Sequence, residues 1–130
     1  MVIFSGGIEA KLLNKWHIEL LSQIKLKELF CSYDTKDDLE PLIEAGKLLK
    51  EINITIKNRK ANCYVLIGYK NDTFEKAEKR ISQVIKAGFF PFAMLYRNDQ
   101  GLVNKEWKKF QRLWSNRVIT GSIYKKYLEV

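Results

Sequence analysis

Four times along this chain a short apolar run gives way, after a polar turn, to a longer segment whose apolar residues recur at helical spacing. Strands are expected at about Val2 to Phe4, Glu28 to Tyr33, Asn62 to Ile67 and Phe90 to Tyr96, with helices at about Lys11 to Ile24, Lys36 to Glu51, Thr73 to Ala87 and Lys105 to Asn116. The strand runs are continuously apolar, as in strands covered on both faces, and their alternation with helices implies a mostly parallel sheet. Right-handed crossovers make this an α/β chain of four consecutive βα units, a partial or half TIM-like barrel. Residues 1–117 are expected to form it and residues 118–130 a C-terminal tail. A strand that starts at Val2 with nothing before it leaves a bare parallel edge, which a preceding unit normally covers. The expectation is therefore the C-terminal part of something longer.

The unit from Ala61 to Gly88 is the most sharply drawn. An apolar strand stops at Gly68, and Asp72 with Glu75 supplies the D-x-x-E pattern that opens a helix. Phe74, Ala77, Ile81, Val84 and Ile85 share one helix face, and Gly88 stands where a left-handed cap belongs. The first helix is expected to pack through Leu12, Leu13, Trp16, Leu20, Leu21 and Ile24, the second through Leu39, Leu42, Leu49 and Ile52 after a Thr35/Asp38 cap, and the fourth through Trp107, Phe110, Leu113 and Trp114 after an Asn104 cap.

In parallel β/α folds, ligands bind at the C-terminal ends of the strands. The polar residues expected there are Ser5, Gly6, Gly7 and Glu9, then Ser32, Tyr33 and Asp34, then Gly68 and Tyr69, then Tyr96, Arg97 and Asn98. Glu9, Asp34 and Arg97 would make a mixed-charge pocket, and Gly6-Gly7 reads as a tight turn that lets a ligand approach the backbone. No glycine-rich dinucleotide loop or phosphate-loop lysine occurs. The one histidine, His17, lies within the first helix, which removes His-based metal and triad chemistry from the rim. Cys31 and Cys63 stand in separate strands and read as buried thiols, not as a redox or zinc pair.

A formal charge of +8 favours polyanions, yet the lysines are dispersed. Lys76, Lys79, Lys86, Lys108 and Lys109 fall on expected solvent faces of helices, so nucleic-acid binding is a minor alternative. No apolar run approaches the ~20 residues of a membrane span, and no signal-peptide pattern opens the chain, so a cytoplasmic protein without membrane partners is expected.

The segments Phe4-Ser5-Gly6-Gly7-Ile8-Glu9-Ala10, Cys31-Ser32-Tyr33-Asp34-Thr35 with Asp38-Leu39-Glu40-Pro41-Leu42, Cys63-Tyr64-Val65-Leu66-Ile67-Gly68-Tyr69 with Asp72-Thr73, and Ala93-Met94-Leu95-Tyr96-Arg97 resemble the C-terminal half of radical S-adenosylmethionine enzymes, in particular those called iron-sulfur oxidoreductases. The resemblance spans Val2 to Trp114, and the third segment departs from the usual Pro-Gly-Glu-Thr with Lys70-Asn71-Asp72-Thr73. It implies two cofactors in the intact family, S-adenosylmethionine and a four-iron four-sulfur cluster. It also implies roles: Ser32 and Asp34 toward the cofactor's methionine or ribose, Ile67 and Gly68 toward its adenine, Tyr96 and Arg97 toward cofactor or substrate, Gly7 and Glu9 toward substrate. The family's Cys-x-x-x-Cys-x-x-Cys triad is absent from this sequence. The implied protein is the cofactor side of a barrel, inactive alone, that pairs with a missing N-terminal half or with a copy of itself. The alternative is a noncatalytic barrel-completing or nucleic-acid-binding module.

Overall fold

The computed structural model describes residues 2–97 and 104–128. Strands β1 (Val2–Ile8), β2 (Leu26–Tyr33), β3 (Ala61–Ile67) and β4 (Phe90–Leu95) form one sheet in the order β1-β2-β3-β4, with every neighbouring pair parallel. Between and after them lie α1 (Lys15–Ser22), α2 (Leu39–Glu51), α3 (Phe74–Lys86), α4 (Lys105–Ser115), α5 (Arg117–Ile123) and α6 (Lys125–Leu128). A sequential order with crossovers of one hand puts the connecting helices on a single face, and α1 packs on α2 and α2 on α3 as that requires. The expected alternation of parallel strands and helices is the observed one. Among the described residues no helix is long and apolar enough to cross a membrane.

Two boundaries differ from expectation for local reasons. β1 does not stop at Phe4: its ladder to β2 slips between Phe4 and Ile8, where four steps on β1 match the two from Leu29 to Cys31. Ser5, Gly6 and Gly7 therefore lie within a bulged stretch of strand and not in a strand-to-helix turn. Glycines ease such a bulge because they carry no side chain to pack. The first helix begins later than Lys11. Residues Ala10–Leu12 form one 3₁₀ turn, and Asn14 then caps α1 by accepting the Trp16 and His17 N–H groups at 2.9 and 3.3 Å. His17 completes the cap, its Nδ1 accepting the Asn14 N–H at 3.3 Å.

The start of α2 shows why its proline is harmless. Pro41 is the third residue of that helix, where a backbone N–H has no partner inside the helix anyway. α3 and α4 begin at Thr73 and Asn104, whose side chains accept N–H groups of the first turn. Beneath these helices Leu42, Leu49, Ile81, Val84, Ile85 and Phe89 are wholly buried with Cys31, Cys63, Val65 and Ile67 from the sheet. Each aliphatic side chain so covered contributes about 1.5–3 kcal/mol relative to exposure.

The first helix is where packing departs most from its pattern. Ile18 and Leu21 enter the core, whereas Trp16 is 64% and Leu20 46% exposed, flanked by exposed Leu12 and Ile24. That row, four residues apart at each step, stays largely exposed, and the ring contact of Trp16 is with His17 of the same helix.

Alternation along the strands sorts the other sheet face. Phe30 pairs with Asn62 and Asn62 with Phe90, then Ser32 with Tyr64 and Tyr64 with Phe92, then Leu66 with Met94. Phe30 stacks on Tyr64 at 4.7 Å between ring centroids, and Phe92 meets Tyr64 edge-on at 5.9 Å. The N-terminal end of this face is closed by Arg59, Arg117 and Tyr124, of which only Tyr124 belongs to the segment expected as a tail. Arg117 donates to Glu28 at 3.1 Å, Tyr124 packs on Phe90 and the Arg59 guanidinium lies over the same ring at 4.8 Å. Thr120 and Tyr124 are buried there, so part of the segment 118–128 packs into the fold, while Val118 stays 80% exposed. Toward the C-terminal ends the face stays open, and Met94 is 45% exposed.

Cys31 and Cys63 are register partners on β2 and β3, both free and both under the helices. Burial pushes the Cys31 thiol up to about 12, and burial followed by the charge of Cys31 raises Cys63 well above its ordinary value. Since the thiolate is the reactive form, neither cysteine should be alkylated by iodoacetamide at pH 8 in the folded protein. Both should react on unfolding. Alkylation of the native protein at the rate of the denatured chain would contradict this burial.

Candidate functional site

The C-terminal ends of β2, β3 and β4 form an open rim, and each loop is held there by an identifiable polar contact. After β2, the Asp38 carboxylate accepts the N–H groups of Asp34 and Thr35 at 2.9 and 3.0 Å. Asp38 thus spends itself on the turn. The Asp34 carboxylate is exposed and engages no hydrogen bond or ion pair among the described residues.

After β3, Asp72 organises the whole loop. It accepts the Gly68 N–H at 2.8 Å, and it takes Arg80 in a two-point ion pair at 2.9 and 2.6 Å. Arg80 also donates to the Leu66 carbonyl at 3.0 Å, which ties the loop and α3 to the strand end. Burial pushes the Asp72 carboxyl up. The Arg80 hydrogen bond, the Gly68 N–H, the Arg80 charge and the Thr73 N–H together outweigh that and hold it below its ordinary 3.8. The expected D-x-x-E opening is shifted by one: Thr73 caps α3 through the Lys76 N–H at 3.1 Å, and Asp72 is freed for the loop.

The rim residues separate into those the fold presents and those it withholds. Ile67 is completely buried beneath the helices, so its side chain faces no rim ligand. Gly68, at φ +75°, is needed for a packing reason. A β-carbon there would meet Leu95 Cδ1 at 2.8 Å and the Trp107 ring at 3.5 Å. Its glycine character serves the close approach of α4, and its N–H is occupied by Asp72. Gly7 lies inside the bulged strand β1, just short of its end.

Tyr96 continues past β4 through its N–H to the Ile67 carbonyl at 2.9 Å, and its ring meets Tyr69 edge-on at 4.8 Å. Arg97 is exposed and stands apart from the notch formed by Glu9 and Asp34, so the expected three-residue pocket is not assembled. Asn98 lies outside the described residues.

Two concavities of opposite charge flank Asp34. Toward β1, a notch of about 200 Å³ is lined by Glu9, Ala10, Lys11, Ser32, Asp34, Asp38 and Pro41. Three carboxylates face it against one ammonium, and that ammonium is 3.9 Å from Glu9. Such a notch suits a hydroxyl-bearing or cationic group. Its volume is below the ~300–1,000 Å³ of pockets that enclose a whole small ligand, so it would grip one part of a ligand.

Toward α3, a cleft of about 700 Å³ opens between the β2 and β3 loops, with Lys36, Lys70, Lys76, Lys79 and Arg80 around it. Lys76 and Lys79 had the spacing of a solvated helix face. The cleft was hidden from the sequence because its opposite wall, Thr35 and Lys36, comes from another unit.

Among the described residues no group of three or more His, Cys, Asp or Glu side chains is arranged to hold a metal ion. A four-iron cluster does not fit the donors of this chain: its two thiols are register partners on neighbouring strands, buried under helices, and burial raises the pKa of both. The rim does carry carboxylates and a serine hydroxyl at the notch, and the edge-on Tyr69–Tyr96 pair after β3 and β4. No protein-family model, curated protein or solved structure matches this chain.

Proposed function

We propose that this chain is the cofactor-binding sector of a radical S-adenosylmethionine-type βα barrel. The observation that carries the reading is the acidic notch where Glu9, Ser32 and Asp34 converge at the C-terminal ends of sequentially ordered parallel strands, with the Tyr69–Tyr96 pair following β3 and β4 on the same rim. In the resembled family the bound cofactor supplies a carbon-centred radical. Here Asp34 would hold ribose hydroxyls or the ligand's positive centre, Ser32 would add a hydrogen bond, and Tyr69 with Tyr96 would flank the purine. Glu9 would set the polarity of the neighbouring substrate space. The thiolates for a cluster must come from elsewhere, and the chain alone is inactive on this reading.

β1 stands at one edge of the sheet, and the exposed row of Leu12, Trp16, Leu20 and Ile24 follows it in the chain; both support completion of the barrel by further βα units at that edge. A copy of the chain or a distinct half-barrel would bury the same row.

S-adenosylhomocysteine, which keeps the adenosyl group without the reactive sulfonium, tests the reading by calorimetry. Saturable binding is expected, weakened about tenfold in Asp34→Ala, the scale of losing a hydrogen bond to a charged group. Heat identical to buffer dilution, or equal affinity in the variant, would count against the assignment.

A further inference from the structure

The lysine cleft shares Asp34 and Tyr69 with the adenosyl reading, but its cations have no part in that reading. Its cations arrive from three separate segments: Lys36 from the turn before α2, Lys70 from the β3 loop, and Lys76, Lys79 and Arg80 from the first turns of α3. Five cations face two carboxylates, Asp34 and Asp72, giving a local formal excess of three positive charges.

The pairing inside the cleft concentrates that excess. Asp72 is consumed by Arg80 in the two-point ion pair, so these two charges neutralise each other. None of Lys36, Lys70, Lys76 and Lys79 forms an ion pair among the described residues. Lys76 reaches only the Asn71 carbonyl at 3.4 Å, and Lys70 lies 5.9 Å from the Tyr69 ring. Four unpaired ammonium groups around one concavity repel one another at low ionic strength, and an anion seated among them removes that repulsion.

The floor of the cleft is rigid and polar. Arg80 is fixed to Asp72 and to the Leu66 carbonyl, and the Tyr33 hydroxyl donates to Gln83 at 2.8 Å. Tyr33, Leu39, Leu66 and Tyr69 add apolar and aromatic wall. The volume, about 700 Å³, is that of a small-molecule site and not of an extended strand-binding groove. We propose that this cleft binds a small phosphorylated ligand through a diphosphate-like group, with Lys36, Lys70, Lys76 and Lys79 contacting its oxygens. The local excess of three charges matches a diphosphate near neutral pH. The site is reached from the helix side and the acidic notch from the β1 side, with Asp34 between them.

Inorganic pyrophosphate and ADP are the probes, titrated at low ionic strength into the full chain while affinity is read by calorimetry. Both should bind saturably, and the double variant Lys76→Glu/Lys79→Glu should lose about tenfold or more in affinity, the scale of removing two charge-assisted hydrogen bonds. The control is Lys125→Glu/Lys126→Glu, the same change in net charge on exposed lysines of α6. It should bind as the parent does, and circular dichroism should show all three proteins equally folded. Equal losses in both double variants would reduce the effect to overall charge and overturn the site. A short single-stranded oligonucleotide that binds more tightly than pyrophosphate and is weakened by both double variants would overturn it too, in favour of a diffuse polyanion surface. Pyrophosphate keeps the two readings apart, because it has no adenosine and S-adenosylhomocysteine has no phosphate; ADP, which carries adenosine, counts for this cleft only where Lys76→Glu/Lys79→Glu weakens it.

Discussion

Asp72→Ala should lower the stability of the fold by about 3 kcal/mol, near the lower end of the range for breaking a buried ion pair from one side. The Asp72 side chain is only 6% exposed, whereas Arg80 keeps some access to water at 23%, which moderates the loss. The substitution strands the Gly68 N–H, releases the Thr73 N–H and leaves Arg80 with the Leu66 carbonyl alone. Asp72→Asn would keep acceptors while losing the charge, and should fall between parent and alanine variant.

The sign of the pH dependence follows from the depressed carboxyl. A group whose pKa is lower folded than unfolded stabilises the protein above its unfolded value, and that contribution disappears as pH falls through the folded value. The stability gap between parent and Asp72→Ala should therefore be constant near neutrality and shrink below pH 3.8. Urea unfolding of both proteins across that range measures it. A gap that widens with acid would mean that Asp72 is not held by Arg80.

Gly46→Ala should be comparably damaging although it lies in the middle of a helix. Alanine is the better helix former by about 1 kcal/mol, so on propensity alone the change would stabilise. In the fold, a β-carbon at Gly46 collides with the Ala87 carbonyl oxygen at the end of α3 and stands 3.3 Å from the Phe89 ring. The obstacle is backbone, and Phe89 is fully buried, so neither can move aside without opening the α2–α3 contact. A net loss of about 2–3 kcal/mol is expected. For a domain of this size that is a drop in melting temperature of roughly 10 °C. An unchanged or raised midpoint would show that α2 and α3 pack less closely than described.

The βα alternation was legible because each strand is an apolar run and each helix has its own period and cap. β2, β3 and β4 begin and end within two residues of their expected limits, and Asn104 caps α4 as its position suggests. What the pattern missed depended on contacts between units. Gly6-Gly7 has the composition of a turn, and only the register with β2 makes it a strand bulge. Trp16 and Leu20 have the spacing of core residues, yet they stay 64% and 46% exposed. Lys76 and Lys79 have the spacing of a solvated face, and the wall opposite them comes from a turn some forty residues earlier. Ser32, Asp34 and Glu9 were brought together because sequential parallel strands bring their C-terminal ends to one rim. Ile67 and Gly68, from the most distinctive segment of all, serve the packing of α3 and α4.

The central claim is that the inner rim receives an adenosyl group, and the most direct measurement is an amide NMR map of the isotopically labelled chain titrated with S-adenosylhomocysteine. The account predicts shifts concentrated at Glu9, Ser32, Asp34, Tyr69 and Tyr96, with Arg59, Arg117 and Tyr124 at the opposite end of the sheet unmoved. Shifts centred on that opposite end, or none at saturating ligand, would contradict it.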